Sequence, residues 1–221
     1  MKRTEKDTIR AWARRWGISL SPAQVDQCLL YANELWEWNK KLNLTGLSSK
    51  KAVVEELLLD SLIACPFLPD QGDLLDVGSG AGFPAIPIKI SKPKLTVRLI
   101  EANSKKVSFL REIIRITGMA SVEVTRGRIE ELGSLLLPKG YVVVTARALA
   151  PLGRTLGWCA PHLRSGGLLV TYQGQEFEKN LKKGDDPIKA HSLLLERVLP
   201  YTLPGKDSRR HVLFFRKRKE G

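Results

Sequence analysis

Residues 73–84 read DLLDVGSGAGFP, and this stretch predicts the fold of the chain. Residues 73–77 form a short, mostly apolar run, which is typical of a strand buried in a parallel sheet. Three glycines follow within five residues, and glycine lets the backbone turn sharply and come close to a ligand. A strand, a glycine loop and a helix in this order predict a nucleotide-type crevice at the carboxyl end of a parallel sheet.

The spacing of the glycines argues against a dinucleotide ligand. The dinucleotide fingerprint is G-x-G-x-x-G, whereas Gly78, Gly80 and Gly82 leave only one residue in the second gap. The loop also lacks the Lys-Ser/Thr ending of a phosphate-binding P-loop. Asp76, just before the loop, would repel a pyrophosphate and suits a ligand with cationic groups. S-adenosylmethionine carries an ammonium and a sulfonium and no phosphate, so we predict it as the cofactor.

A second acidic residue supports this prediction. The strand predicted at residues 95–100 ends in Glu101, where a carboxylate can accept hydrogen bonds from both hydroxyls of a ribose. A nicotinamide enzyme, or a plain strand and turn with an incidental glutamate, remain alternatives at this point. The cofactor-binding residues predicted in this region are Asp76, Gly78, Ser79, Gly80, Gly82, Glu101 and Asn103.

The rest of the chain alternates predicted strands with predicted helices, which favours an α/β fold with a mostly parallel, seven-stranded sheet. Residues 1–68 predict a helical extension, with a capping box at residues 21–24 and a third helix at about 52–65. Residues 69–221 predict the cofactor-binding domain. Its remaining strands are expected at 122–125, 141–146 and 167–172, its helices at 104–117 and 152–163, and a final hairpin at 197–203 and 211–216.

Composition and charge restrict the partners. Lys and Arg total 36 against 23 acidic residues, which gives a net charge of +13. Such a charge favours binding to a polyanion such as nucleic acid; the alternative is that the charge serves solubility alone. The sequence contains no run of 18 apolar residues, so we predict no membrane span. The three cysteines are far apart and lack metal-ligand spacing, so we expect buried free thiols, no metal site and a reducing, cytoplasmic location. No exposed apolar helix requires a second copy, which favours a monomer.

The sequence also restricts the acceptor atom of a methyl transfer. Transfer to an exocyclic amine commonly uses an Asn/Asp-Pro-Pro-Tyr/Phe loop after the fourth strand, but residues 145–148 read TARA. Transfer to a pyrimidine carbon needs a nucleophilic cysteine, typically after a proline, and no Pro-Cys pair occurs. A ring nitrogen such as guanine N7 needs neither device, because its lone pair is already nucleophilic.

Several segments, taken in order, resemble the RsmG (GidB) family over nearly the whole chain. They are WNKKLNLT at 38–45, LDSL at 59–62, DVGSGAGFP at 76–84, SKK at 104–106 with FL at 109–110, RIEE at 128–131, ARA at 146–148 and RH at 210–211. The family consists of bacterial methyltransferases with a Rossmann-like class I fold that act on guanine N7 in small-subunit ribosomal RNA. The resemblance implies cofactor contacts at Gly78, Phe83, Ile129, Glu130 and Arg147, with Glu101 at the ribose-binding strand end.

The resemblance also implies which residues lie near the reacting atoms and the RNA substrate. We expect Arg147 to shape the reaction site, the alternative being a salt bridge to Glu101 or Glu130. The residues that we assign to substrate binding are Asn43, Thr45, Gln173, Arg210 and His211. Two positions depart from the family pattern: Leu57 replaces the usual His before the Asp-Ser-Leu segment, and Gln173 replaces a Lys, which removes a positive charge.

Two other functions compete with an rRNA methyltransferase that works on naked RNA or on the 30S subunit. An RNA-binding assembly protein with a degenerate cofactor fold is supported only by Leu57 and Gln173. A small-molecule methyltransferase is disfavoured by the basic charge, since a neutral metabolite gains nothing from such a field.

Overall fold

The computed structural model describes residues 4–132, 137–182 and 185–219. Within these ranges, seven strands form one sheet in the order β3-β2-β1-β4-β5-β7-β6. The first five pair in parallel, and β7 is antiparallel to both of its neighbours. The predicted α/β fold with a mostly parallel, seven-stranded sheet is therefore confirmed.

The bounds of the elements extend most of the predicted strands by a few residues. The strands are β1 Gln71–Val77, β2 Lys94–Glu101, β3 Val122–Arg126, β4 Tyr141–Arg147, β5 Leu163–Gln173, β6 Leu193–Tyr201 and β7 Arg210–Lys217. The helices are α1 Glu5–Arg15, α2 Pro22–Leu42, α3 at residues 50–62, α4 Ala85–Ser91, α5 Ser104–Thr117, α6 Leu152–Cys159, α7 Phe177–Lys182 and α8 Asp185–Ala190. Short 3-10 turns occur at Cys65–Phe67, Ile129–Glu131 and Ala160–His162.

The predicted capping box at the start of α2 is present. The Ser21 hydroxyl accepts the backbone N–H of Gln24 at 3.2 Å, and the side-chain Oε1 of Gln24 accepts the Ser21 N–H at 2.8 Å. The same Gln24 amide donates to the carbonyl of Ile90 at 2.6 Å, at the end of α4. One side chain therefore begins α2 and also ties it to the helix that follows the glycine loop.

Helix α3 differs in detail from the predicted third helix. It begins as α-helix at Lys50–Ala52, widens to a π-helix over Val53–Leu58 and returns to α-helix over Leu59–Leu62. A π-helical turn carries one extra residue, shifts the register of the side chains and occurs frequently at functional sites. Apolar spacing alone does not reveal such a widening.

Apolar side chains of the sheet alternate between two layers, as the pleat requires. Leu74, Val143 and Val170 pack in one cluster with α1, α2, α3 and α5, while Leu75 and Val144 pack in a second cluster with α6. The N-terminal helices thus share a continuous core with the sheet. The division into a helical extension at residues 1–68 and a cofactor domain at 69–221 stays a prediction.

Buried polar groups tie the N-terminal helices to the core. Trp12 is buried, and its indole N–H donates to the Leu59 carbonyl at 3.0 Å. The three cysteines are buried free thiols. Burial raises the pKa of Cys28 and of Cys65 to about 12, so both thiols stay protonated and unreactive near neutral pH.

No helix in the described ranges is long and apolar enough to cross a membrane.

Replacing Gly82 by alanine is expected to destabilise the protein by about 1–3 kcal/mol. Its φ is +101°, and a Cβ there would lie 2.6 Å from Ile86 Cγ1 and 2.9 Å from the Tyr31 hydroxyl. Urea unfolding without cofactor measures the effect. Gly46→Ala is the control, because a Cβ at Gly46 meets nothing within 4 Å. Equal unfolding midpoints for the two variants would contradict the prediction.

Candidate active site

The glycine loop leaves the end of β1 in backbone conformations that require glycine. Gly78 has a φ of +70°, and a Cβ on it would lie 2.5 Å from Leu149 Cδ1. The loop is also held from the helical layer, because the Tyr31 hydroxyl on α2 donates to the Ala81 carbonyl at 2.5 Å. The loop is therefore preformed by its own backbone and by a buried tyrosine.

Glu101 fastens the loop to the end of β2. Its Oε2 accepts the backbone N–H of Gly80 at 2.7 Å, and its Oε1 accepts the N–H of Asn103 at 2.7 Å. The Asn103 side chain then caps α5 by accepting the N–H groups of Lys105 and Lys106. Each carboxylate oxygen offers further lone pairs, so Glu101 keeps acceptor capacity toward a ligand.

Asp76 lies fully buried beneath the loop. Its Oδ1 accepts the Thr145 hydroxyl at 2.6 Å, across the pairing of β1 with β4. Its Oδ2 has no hydrogen-bond partner among the described residues. Burial raises the pKa of Asp76 to about 6, although the hydrogen bond from Thr145 opposes the rise. A buried carboxylate with one free oxygen is poised to stabilise a cation.

An open cleft of about 310 Å³ lies beside the loop. It brings together the ends of β1 and β2, the 3-10 turn after β3, and the segment after β4. The predicted cofactor residues Gly78, Glu101, Ile129 and Glu130 line it, together with Leu149 and Trp158. Ile129 is buried and Glu130 is exposed, so this wall offers both an apolar surface and a polar group.

Phe83 and Ser79 do not line this cleft. The ring of Phe83 is buried, with its centroid 5.1 Å from that of Tyr31 in the helical layer. Ser79 is buried too, and its hydroxyl donates to the Asp76 carbonyl at 3.1 Å. Both side chains therefore support the loop from behind, outside the lining of the cleft.

Arg147 forms its salt bridge with Asp60. The alternative prediction, a salt bridge to Glu101 or Glu130, was therefore wrong about the partner. Arg147 Nε lies 3.1 Å from Asp60 Oδ2, and Nη2 donates to the Glu56 carbonyl at 2.9 Å. Neighbouring residues of a strand face opposite sides of the sheet. Ala146 belongs to the layer of α6, and Arg147 therefore reaches the opposite layer, where α3 lies.

Arg210 belongs to the same charged group. Its Nη1 donates to Asp60 Oδ1 at 3.0 Å, and its Nη2 lies 3.6 Å from Glu56 Oε2. The Tyr201 hydroxyl donates to the same Asp60 oxygen at 2.7 Å. We call Glu56, Asp60, Arg147, Tyr201 and Arg210 the Asp60 cluster. It joins the predicted catalytic residue to one predicted substrate residue.

Gln173 and His211 are paired neighbours on β5 and β7. The His211 ring is buried, lies 3.3 Å from the Gly174 carbonyl through Nδ1, and stacks on Phe177 at a centroid distance of 3.8 Å. Gln173 is only partly buried at the carboxyl end of its strand. Gln173 thus ends the strand that pairs with β4 on one side, and His211 lies near the start of the strand that pairs with it on the other.

Asn43 and Thr45 lie in the turn between α2 and α3. Asn43 ends α2 with a left-handed φ of +49° and is exposed. The Thr45 N–H donates to the Asn39 side chain at 2.6 Å, and the Asn39 amide donates to the Leu47 carbonyl at 3.2 Å. Asn39 therefore shapes this turn, a role that the sequence did not indicate.

Other supporting residues were also missed. Tyr31 lies on the apolar stripe of α2, and Thr145 and Tyr201 lie within strands, so each looked like an ordinary core residue. Asp60 had a signal, because it belongs to the Asp-Ser-Leu segment that carried part of the resemblance. A charged residue within an apolar helix is seldom buried unless it is paired, and this pattern pointed to a partner.

The residues of the cleft fit S-adenosylmethionine. The buried Asp76 has an unpartnered oxygen, which suits a nearby positive charge. The positive φ of Gly78 and its closeness to Leu149 leave bare backbone at the cleft wall. Glu101 stands at the strand end with spare acceptor positions.

This sheet order, with a glycine loop after β1 and an acidic end of β2, defines a class I methyltransferase. The fold is shared with solved methyltransferases that have little sequence in common with it. A precorrin-6y C5,15-methyltransferase from Geobacter metallireducens matches with a TM-score of 0.55 and 17% identity, over 77% of this chain and 93% of that one. TYW2 from M. jannaschii, solved with AdoMet, matches with a TM-score of 0.54 and 14% identity, over 66% and 68% of the chains.

The family model GidB, rRNA small subunit methyltransferase G, matches residues 24–212, and the chain belongs to this family. Proteins named ribosomal RNA small subunit methyltransferase G are similar over nearly the full length. The one from Chloroflexus aggregans is 38% identical over 90% of this chain and 84% of its own. The one from Neisseria gonorrhoeae is 33% identical over 96% and 99%. The predicted family and enzyme class are confirmed.

Proposed function

We propose that this protein transfers the methyl group of S-adenosylmethionine to N7 of a guanine in small-subunit ribosomal RNA. The observation that carries the proposal is the cleft beside the glycine loop, where Asp76 is buried with a free oxygen and Glu101 fastens the loop. The relatives named as small-subunit rRNA methyltransferases supply the substrate class.

The cofactor, when bound, supplies a methyl group on a positively charged sulfur. Asp76 then offers a compensating negative charge, and Glu101 offers acceptors to ribose hydroxyls. Ile129 and Glu130 form the wall that would receive the adenine, and Gly78 completes the contact surface. The contribution of these residues is orientation, since an in-line transfer depends mainly on placing the two reactants.

The chemistry available to the chain favours a ring nitrogen as acceptor. Burial raises the pKa of Cys28, Cys65 and Cys159, so these thiols are poor nucleophiles for a covalent route through a pyrimidine carbon. The end of β4 carries Arg147 instead of an amine-binding loop. Guanine N7 has no proton to lose, so no general base is required.

The net charge of +13 suits an RNA substrate. Asn43, Thr45, Gln173 and His211 are the proposed RNA contacts, together with Arg210, which lies in the Asp60 cluster with Arg147. We propose that the protein works as a monomer in the cytoplasm on small-subunit rRNA, either free or in the 30S particle.

Methyl transfer onto small subunits tests the proposal. Subunits from a strain that lacks the gene are incubated with the protein and methyl-labelled S-adenosylmethionine, and the RNA is digested to nucleosides. We expect label in 7-methylguanosine at one position. Label in another nucleoside would overturn the acceptor assignment, and RNA binding without any transfer would favour an assembly protein.

Cofactor affinity is expected to rise by about tenfold between pH 5 and pH 7. Burial raises the pKa of Asp76 to about 6, so the carboxyl of the free protein is mostly protonated at pH 5 and ionised at pH 7. A cationic ligand prefers the ionised form, and binding tightens until the group is ionised. Calorimetric titration at several pH values measures the Kd.

Asp76→Asn is the control for this pH dependence, because it keeps the shape and cannot ionise. Its affinity should be weaker and nearly constant over the same range. An unchanged pH profile in Asp76→Asn would assign the dependence to another group.

The raised pKa of Asp76 also predicts that the free energy of unfolding depends on pH. Since the folded pKa lies above the ordinary value of 3.8, the folded protein holds more protons between pH 3.8 and 6. The contribution of Asp76 to stability therefore falls as pH rises through this window. Asp76→Asn should remove that part of the slope.

A further inference from the structure

The Asp60 carboxylate on α3 is 1% exposed and is contacted by side chains from three strands. Arg147 comes from β4, Tyr201 from β6 and Arg210 from β7. Removing a charge from water costs several kcal/mol unless partners replace the lost solvation, and a buried carboxylate held by two guanidinium groups meets that requirement. Asp60 is thus the common anchor of these side chains.

The nitrogen atoms of the Arg147 guanidinium differ in their contacts. Nε lies 3.1 Å from Asp60 Oδ2 in an ion pair that lacks hydrogen-bond geometry, and Nη2 donates to the Glu56 carbonyl at 2.9 Å. Nη1 has no hydrogen-bond partner in the parts of the chain that the structure describes. A guanidinium is a rigid planar fork, so fixing one edge also fixes the direction of the remaining N–H groups. The two contacts therefore hold Arg147 in one orientation with donors to spare.

Both contacts come from α3, on opposite sides of its change from π- to α-helix. Glu56 lies in the π-helical part and Asp60 in the α-helical part that follows. The Tyr201 hydroxyl keeps its proton, because burial and the neighbouring Asp60 carboxylate raise its pKa. It therefore donates to Oδ1 of Asp60, whereas Arg147 lies against Oδ2.

We propose that Asp60 is a positioning residue, which holds the Arg147 guanidinium in the orientation needed for methyl transfer and balances its charge. The proposal rests on the role proposed above for Arg147 at the reaction site. Asp60 does not touch the reacting atoms; it acts through Arg147. Its loss should therefore lower kcat without an equal loss of cofactor affinity.

Asp60→Asn is the direct test, since it keeps the shape and removes the charge. We expect kcat on small subunits to fall roughly 10- to 100-fold, because misplacement of a catalytic group by about an ångström has effects of this size. The Kd for S-adenosylmethionine should stay within about twofold. A purely structural Asp60 would instead lower kcat and cofactor binding together, in proportion to the unfolded fraction seen by circular dichroism.

A double-mutant cycle with Arg147→Ala separates this proposal from the proposed function. If Asp60 acts through Arg147, Asp60→Asn should cost little more once Arg147 has been removed. A full additional loss in the double variant would overturn the proposal. If Arg147→Ala itself keeps the wild-type kcat, the assignment of Arg147 fails, which is a separate result.

Two tyrosine variants keep the test decisive if Asp60→Asn does not fold. Tyr201→Phe removes one hydrogen bond to the Asp60 carboxylate at unchanged charge, and we expect kcat to fall about 3- to 10-fold. Tyr172→Phe is the matched control, because its buried hydroxyl donates to the Ser61 carbonyl at 2.9 Å and not to Asp60. Equal kcat values for the two variants would overturn the proposal.

Discussion

Replacing Glu101 by alanine is expected to weaken S-adenosylmethionine binding by roughly 30- to 1000-fold. The change removes the acceptor of the Gly80 and Asn103 N–H groups, each bonded at 2.7 Å. Hydrogen bonds to a charged group contribute about 1.5–3 kcal/mol each, and a loss of about 2–4 kcal/mol corresponds to this range of affinity. The loop then loses its fastening and the ligand loses its ribose acceptors. Equilibrium dialysis with labelled cofactor measures the Kd.

Two controls sharpen this prediction. Glu101→Gln keeps one carbonyl acceptor and should show an intermediate loss. Glu130→Ala, at the exposed edge of the same cleft, should weaken binding by less than about tenfold, because an exposed side chain exchanges its contact for water at little cost. A Kd for Glu101→Ala within threefold of wild type would contradict the proposed ribose site.

Replacing Arg147 by alanine is expected to lower kcat by about 100-fold while cofactor affinity changes much less. The side chain lies on the side of β4 that faces α3, not in the cleft that we assign to the cofactor. Loss of an oriented group at a reaction site typically costs two to three orders of magnitude. Steady-state transfer to small subunits measures kcat, and calorimetry measures the cofactor Kd.

Arg147→Lys and Arg111→Ala complete this experiment. Lysine keeps the charge but lacks the planar fork, so it should restore only part of the activity. Arg111 is exposed on α5, and its removal changes the net charge equally without touching the site. Wild-type kcat in Arg147→Ala, or a drop in Arg111→Ala as large as in Arg147→Ala, would contradict the assigned role.

The sequence predicts the sheet and the cofactor loop well, because both depend on local patterns. The apolar run at 73–77, the three glycines and the acidic residue after the second strand each carry their signal within a few positions. The strand order was not predicted from the sequence, because it depends on contacts between distant segments. The helices at Phe177–Lys182 and Asp185–Ala190 were not predicted either, and both are short and polar.

The partners of the site residues are much harder to predict. Arg147 meets Asp60 because a strand from the middle of the chain lies against a helix near its beginning, and nothing in either local sequence records that approach. From the sequence, Glu101 and Glu130 were considered as salt-bridge partners instead, because both are nearer to Arg147 along the chain. The π-helical turn at Val53–Leu58 adds to the difficulty, because it shifts the face that α3 presents.

The position of β7 has a consequence for the order in which the molecule is assembled during synthesis. Of the seven strands it is made last, yet it lies between β5 and β6, and its hairpin brings Tyr201 and Arg210 to Asp60. A growing chain that ends before residue 210 lacks Arg210, and β6 with Tyr201 has no strand through which to join the sheet. Asp60 then has only Arg147 of its three partners. The glycine loop and β1 to β5 are already made, so the cleft beside the loop can form first. The Asp60 cluster is completed only when β7 has joined the sheet.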